Sequence, residues 1–108
     1  MREEYMEDDE PIVVTYPQHP GVVLKETLAD RSVAGVTLAA AIGAERAFIT
    51  KMLNGQKAVS SSMALKIERA IGYPAELLVA MQSQFDLAEA RRKDAAALEQ
   101  IEPIGAAA

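Results

Sequence analysis

The sequence predicts an all-α fold: five helices, the last of them long, behind a short extended arm. Two observations predict it. Apolar residues recur at spacings of three and four along most of the chain, as in Ile49, Met52 and Leu53, which places them on one face of a helix. Between such stretches stand residues that start or stop helices: Pro20, Gly43, Asn54-Gly55, Ser60, Gly72 and Pro74.

Each element follows in order. Residues 1–11 are highly charged and end in Pro11, a composition that buries too little apolar surface to offset its ordering entropy, so a disordered tail is expected. The β-branched run Ile12 to Thr15, closed by Tyr16-Pro17, reads as a short strand or extended arm. Pro20 suits a first helical turn, and Val23, Leu24, Thr27 and Leu28 carry a first helix to Asp30 or Arg31. Leu38, Ala39 and Ile42 line a short second helix that stops at Gly43.

In the third helix Ile49, Met52 and Leu53 pack inward while Arg46, Ala47, Thr50 and Lys51 face outward, and Asn54-Gly55 ends it as a turn. Ser60 caps a fourth helix whose Met63, Ala64, Ile67, Ala70 and Ile71 form a stripe up to Gly72. Pro74 opens the fifth, with Leu77, Leu78, Met81, Phe85 and Leu87 as apolar surface and helical character to about Leu98. The expected organisation is therefore a tail over residues 1–18, one domain over 19–98 and a flexible end over 99–108.

Composition narrows the function classes. A chain of 108 residues with half of them apolar fits one domain with a modest core. It has no cysteine, so disulfides and thiolate metal sites are excluded and a reducing cytoplasm fits. No apolar run approaches the roughly 20 residues that span a bilayer, and MREEYMEDDE lacks the basic start of a signal peptide. A soluble, cytoplasmic protein is expected, with no membrane partner.

Net charge misleads when averaged. Six acids against Arg2 in the first ten residues account for the whole net charge of −5. From Gly43 to Arg69 five cations, Arg46, Lys51, Lys57, Lys66 and Arg69, face only Glu45 and Glu68. Recognition follows local potential, so this basic segment suits a polyanion despite the acidic total. The acidic tail reads as a solvated extension, or as a segment that engages a basic partner or shields the basic face.

Catalytic chemistry finds little material. The sole histidine, His19, stands beside Pro20 with no second ligand or acid-base partner at a useful spacing, and reads as a packing or capping residue. Ser60, Ser61 and Ser62 have no base nearby in sequence, and no phosphate-binding glycine loop occurs. No enzyme, no catalytic residue, no metal site and no cofactor are expected.

The informative arrangement is the second and third helices with a short turn between them. Such a pair can lay the outer face of its second member in a DNA major groove. There Arg46 can bond two guanine acceptors, Lys51 can meet guanine or phosphate, and Thr50 can donate or accept. Phe48, at the rim, suits a thymine methyl or packing against its neighbours.

A wider pattern then stands out. His19-Pro20-Gly21, Leu38-Ala39 with Gly43, Ile49, Leu53-Asn54-Gly55, Ser60 with Met63-Ala64-Leu65, and Gln82 with Phe85-Asp86-Leu87 together resemble the HigA/VapI group of helix-turn-helix antitoxins. The likeness runs from about His19 to Arg91. It implies a five-helix lambda-repressor-like DNA-binding domain, a homodimer joined through its C-terminal helices, and a palindromic double-stranded operator. It also implies autorepression and neutralisation of a HigB-type toxin, a RelE-like mRNA endonuclease.

Carried over by position, the resemblance assigns Arg46, Ala47, Thr50 and Lys51 to the DNA-facing helix and Gln56 and Lys57 to a phosphate-facing loop. Leu77, Leu78, Met81, Phe85 and Leu87 become the dimerisation residues. Three departures are visible. Ala34 and Gly35 stand where relatives carry a capping Ser or Thr and a Gln; Glu45 adds a negative charge near the third helix; and Leu77 to Ala80 replace an aromatic cluster. Two other functions fit the same fold: a stand-alone repressor without a toxin, and a protein-interaction module that does not bind DNA.

Overall fold

The computed structural model describes residues 16–105, so the acidic tail and the proposed strand at 12–15 lie outside the described residues. Six helices follow one another: α1 (Pro20–Asp30), α2 (Gly35–Ile42), α3 (Arg46–Leu53), α4 (Ser61–Ile71), α5 (Ala75–Lys93) and α6 (Ala95–Glu99). No strand occurs among the described residues. The all-α expectation holds; the sixth helix is the difference.

That difference sits at Asp94. The long last helix, expected to run to Leu98, breaks where Asp94 takes φ −101° and ψ 13°. Every described residue from Ala90 onward is exposed, so no packing holds the helix straight, and aspartate is a weak helix former.

The helix starts and stops are local chemistry. The His19 Nδ1 accepts the Gly21 amide at 2.9 Å and Pro20 fills the first turn of α1, so the histidine acts as the cap that Ser or Asp usually supplies. At the other end Ser32 takes the left-handed φ of 57° and the Val33 amide donates to the Leu28 carbonyl at 2.8 Å. This closes α1 with a motif that normally uses glycine. Gly43 does the same for α2 at φ 69°, and the Ala44 amide returns to the Ala39 carbonyl at 2.9 Å. The Ser60 hydroxyl accepts the Met63 amide at 3.1 Å to start α4, and the Glu68 carboxylate accepts the Ala75 amide at 3.1 Å to help start α5.

The core forms where the predicted faces meet. Leu24, Leu28, Leu38, Ile49, Met52, Ile67 and Leu78 are each at most 2% exposed, and full burial of such a side chain is worth about 1.5–3 kcal/mol. The helix α3 packs on both α1 and α2, while α5 covers α4 and α1. One expected core position differs: Ala70 is exposed. It borders a surface groove with Ala41, Ile42, Leu65, Lys66 and Arg69, off the Ala64–Ile67 line that points inward.

Tyr16 ties the segment before α1 to α5. Its hydroxyl donates to Glu89 Oε2 at 2.8 Å, and its ring stands edge-on to Phe85 with centroids 6.1 Å apart. Arg92 Nη2 meets Glu89 Oε1 at 2.7 Å. The Arg92 guanidinium first, and the Tyr16 hydroxyl next, hold the Glu89 carboxyl below its ordinary range.

Candidate nucleic-acid interface

The turn between α2 and α3 is set by Gly43 and by Glu45, which occupies the α3 N-cap position without a side-chain capping bond. The inner face of α3 is then fixed by burial: Ile49 is 1% exposed, Met52 0% and Leu53 8%. A helix whose inner face is held this tightly presents its opposite face in one orientation. That face carries Arg46, Ala47, Thr50 and Lys51, all exposed.

The loop after α3 continues the same surface. Gln56 and Lys57 are exposed, and the Gln56 amide donates to the Lys51 carbonyl at 2.8 Å. Lys25 Nζ donates to Asn54 Oδ1 at 3.0 Å, which ties α1 to the loop's start. All six residues assigned to DNA from the sequence therefore lie on α3 and the loop directly after it.

Phe48 is half-buried and packs against the core cluster, which leaves its ring with an internal partner. The five cations between Gly43 and Arg69 divide into two groups. Arg46, Lys51 and Lys57 are on α3 and its loop, whereas Lys66 and Arg69 line the groove between α2 and α4. Ala34 occupies the N-cap position of α2 and supplies no side-chain capping bond.

The residues expected to form a dimer surface differ in exposure. Leu77 and Leu87 are 47% and 51% exposed, and Met81 and Phe85 are half-buried. Leu78 requires a correction: it is 0% exposed in the chain's own core and has no side-chain surface left for a second copy. On α5, Leu77 and Leu78 project about 100° apart, so one can face solvent while its neighbour faces α1 and α4. Sequence reasoning missed Leu65, 60% exposed, and Val79, 38% exposed, which border one shallow groove between α4 and α5. Neither belongs to the apolar stripe expected on its helix, so spacing alone gave no reason to single them out.

His19 is 5% exposed and stands edge-on to Phe85 with ring centroids 5.1 Å apart. Burial pushes its pKa down, against the opposing effects of the Asp86 charge and a hydrogen bond with the Lys57 main chain. Among the described residues no group of three or more potential metal ligands comes together, and no helix is long and apolar enough to cross a membrane.

An all-α body that holds one short helix with its polar face outward, after a helix and a tight turn, defines a helix-turn-helix protein. No family model matches the chain. It is 30% identical over 74 residues to virulence-associated protein A' of Dichelobacter nodosus, a match over 68% of this chain and 64% of that one. The chain thus matches somewhat under two thirds of that relative's length. In structure it matches an addiction module antidote protein of the HigA family from Coxiella burnetii, with TM-score 0.75, 25% identity, and 82% and 99% of the two chains covered. It also matches the antitoxin HigA of Pseudomonas aeruginosa, solved with the higBA promoter, with TM-score 0.76, 27% identity, and 82% and 98% covered. The particular solved structures whose fold this chain shares are thus antitoxins and antidote proteins of the HigA type.

Proposed function

We propose that this chain is a sequence-specific DNA-binding antitoxin that represses its own operon and neutralises a HigB-type toxin with RelE-like mRNA endonuclease activity. The observation that carries the DNA part is the α3 surface: Arg46, Thr50 and Lys51 exposed on a helix whose other face is locked by Ile49, Met52 and Leu53. The likeness to a HigA solved with its promoter supports the same reading.

In this reading α3 lies in the major groove, Arg46 and Lys51 read base edges, Thr50 assists, and Ala47 allows close approach. Gln56 and Lys57 meet phosphates. The helix-turn-helix domain spans residues 19–98 and acts as a cytoplasmic homodimer on a palindromic operator, with half-site centres roughly 34 Å, one helical turn, or a multiple of that apart. The protein is not an enzyme: His19, its single histidine, is occupied by capping α1 and packing on Phe85.

Binding to the DNA upstream of its own reading frame, titrated against salt, tests the DNA claim. Log affinity should fall with a slope of about −0.9 per phosphate neutralised. A flat response on every duplex removes DNA from the account. Co-expression with the product of the adjacent reading frame tests the toxin claim, which fails if no neighbour encodes a small basic protein that forms a complex with this chain.

A further inference from the structure

Among the described residues two polar side chains are buried, His19 at 5% exposure and Gln82 at 8%. A buried polar group is costly unless its hydrogen bonds are met, so the identity of the partners is informative. Both side chains face the same loop.

Gln82 reaches the loop's far end from α5. Its Oε1 accepts the Val59 amide at 2.8 Å, and its Nε2 donates to Asp86 Oδ1 at 2.9 Å, which fixes which way the amide points. Val59 is itself 2% exposed. His19 closes the near end. A Cβ on Gly55 would lie 3.6 Å from the His19 Cβ and 3.7 Å from its Cγ, so the histidine stands directly beside the loop there, and it shares a hydrogen bond with the Lys57 main chain. The imidazole keeps its place by accepting the Gly21 amide and by standing against Phe85. Between Gly55 and Val59 lie Gln56 and Lys57, with their side chains in solvent.

We propose that His19 and Gln82 are positioning residues for the Gln56–Lys57 loop, holding its two ends so that Lys57 meets a phosphate at a fixed place; this rests on the DNA-binding reading. A loop ordered before binding loses less conformational entropy when the complex forms. An apolar side chain at either position would leave a buried main-chain amide, Val59 or Gly21, without its acceptor. The amide of Gln82 adds a bond to the loop backbone, which packing alone does not require. The clamp also means that α5 and the phosphate-facing loop move as one unit.

The test compares Gln82→Met, which keeps the volume and loses the bond, with Gln82→Glu/Asp86→Asn. The double variant restores an acceptor for the Val59 amide and reverses the donor on the second bond. Thermal melting confirms folding. Affinity is read against salt for the upstream duplex and for a random duplex of equal length. Gln82→Met should bind both about tenfold more weakly, the effect of losing roughly one hydrogen bond's worth of order. Its salt slope should be shallower by about 0.9, one phosphate contact. Lys57→Ala should then add little in the Gln82→Met background, because the two act on one contact, and the double variant should recover affinity and slope.

A folded Gln82→Met with wild-type affinity and slope overturns the proposal, as does a folded double variant that recovers neither. If Gln82→Met does not fold, His19→Asn carries the same comparison, since asparagine keeps a cap acceptor and removes the ring from Gly55. Wild-type protein that binds neither duplex overturns the DNA reading itself, a result distinct from loss in the variants alone.

Discussion

A methyl group on Gly21 would sit 1.8 Å from the Met52 carbonyl oxygen, so α1 and α3 meet there backbone against backbone. The atom in the way belongs to the main chain of α3 and cannot rotate aside as a side chain could. Gly21 is buried within the first turn of α1, and its backbone is ordinary helix, so the constraint is space alone. Gly21→Ala should therefore push α3 outward and destabilise the fold by about 3 kcal/mol, at the upper end of overpacking effects. Urea unfolding measures this; an unchanged midpoint would mean that the helices separate without cost.

His19 gives the fold an acid-sensitive element. Burial holds its pKa below the ordinary 6.5, opposed by Asp86 and the Lys57 main chain. The unfolded chain then binds the proton more readily than the folded one, so stability rises with pH across the window between the two pKa values. The contribution is complete above 6.5 and is lost as pH falls through the lower, folded value. Protonation also converts Nδ1 from the acceptor of the Gly21 amide into a donor. In denaturation midpoints taken from pH 7.5 downward, wild type should lose stability more steeply than His19→Asn. Parallel curves would show that His19 does not carry the effect.

Most of the helical body was legible because local signals agreed with one another. Gly43, Ser60, Gly72 and Pro74 each stand at a helix boundary, and the inward triad of α3 follows from spacing alone. What escaped has a physical reason in each case. The break at Asp94 depends on the absence of packing, which composition does not reveal. Leu78 and Val79 are adjacent apolar residues, and only the positions of α1 and α4 decide that one is 0% and the other 38% exposed. Ser32 adopts a conformation usually left to glycine. At the candidate site, the outward face of α3 could be read from periodicity. The link from Gln82 to Val59 joins residues 23 positions apart and has no local signature.

Arg46 and Lys57 should fail differently. Arg46 lies in the first turn of α3, and Lys57 in the loop that follows it, both exposed. An arginine that bonds a guanine on two atoms contributes to discrimination, so Arg46→Ala should cost about 1–3 kcal/mol on the operator and much less on random DNA. Lys57→Ala, as the loss of a phosphate contact, should weaken both duplexes alike and lower the salt slope by roughly one contact. Competition titrations on the two duplexes separate the cases, and equal losses for Arg46→Ala would reject its base-reading role.

The dimer proposed for operator binding needs an apolar face, and α5 offers two. Leu77, 47% exposed, stands on one side. On the other, Val79 borders a groove with Leu65 of α4 and a second groove with Leu87, so three exposed apolar side chains run in one strip. Contiguous apolar surface is what an interface core requires, and a buried unpaired charge disrupts it strongly. Val79→Glu should therefore weaken dimerisation by roughly a hundredfold or more, whereas Leu77→Glu should have a smaller effect. Both positions are exposed in the single chain, so neither substitution should lower its intrinsic stability by much. Sedimentation equilibrium over a concentration series reads the two constants; a larger loss for Leu77→Glu would move the interface to the opposite side of α5.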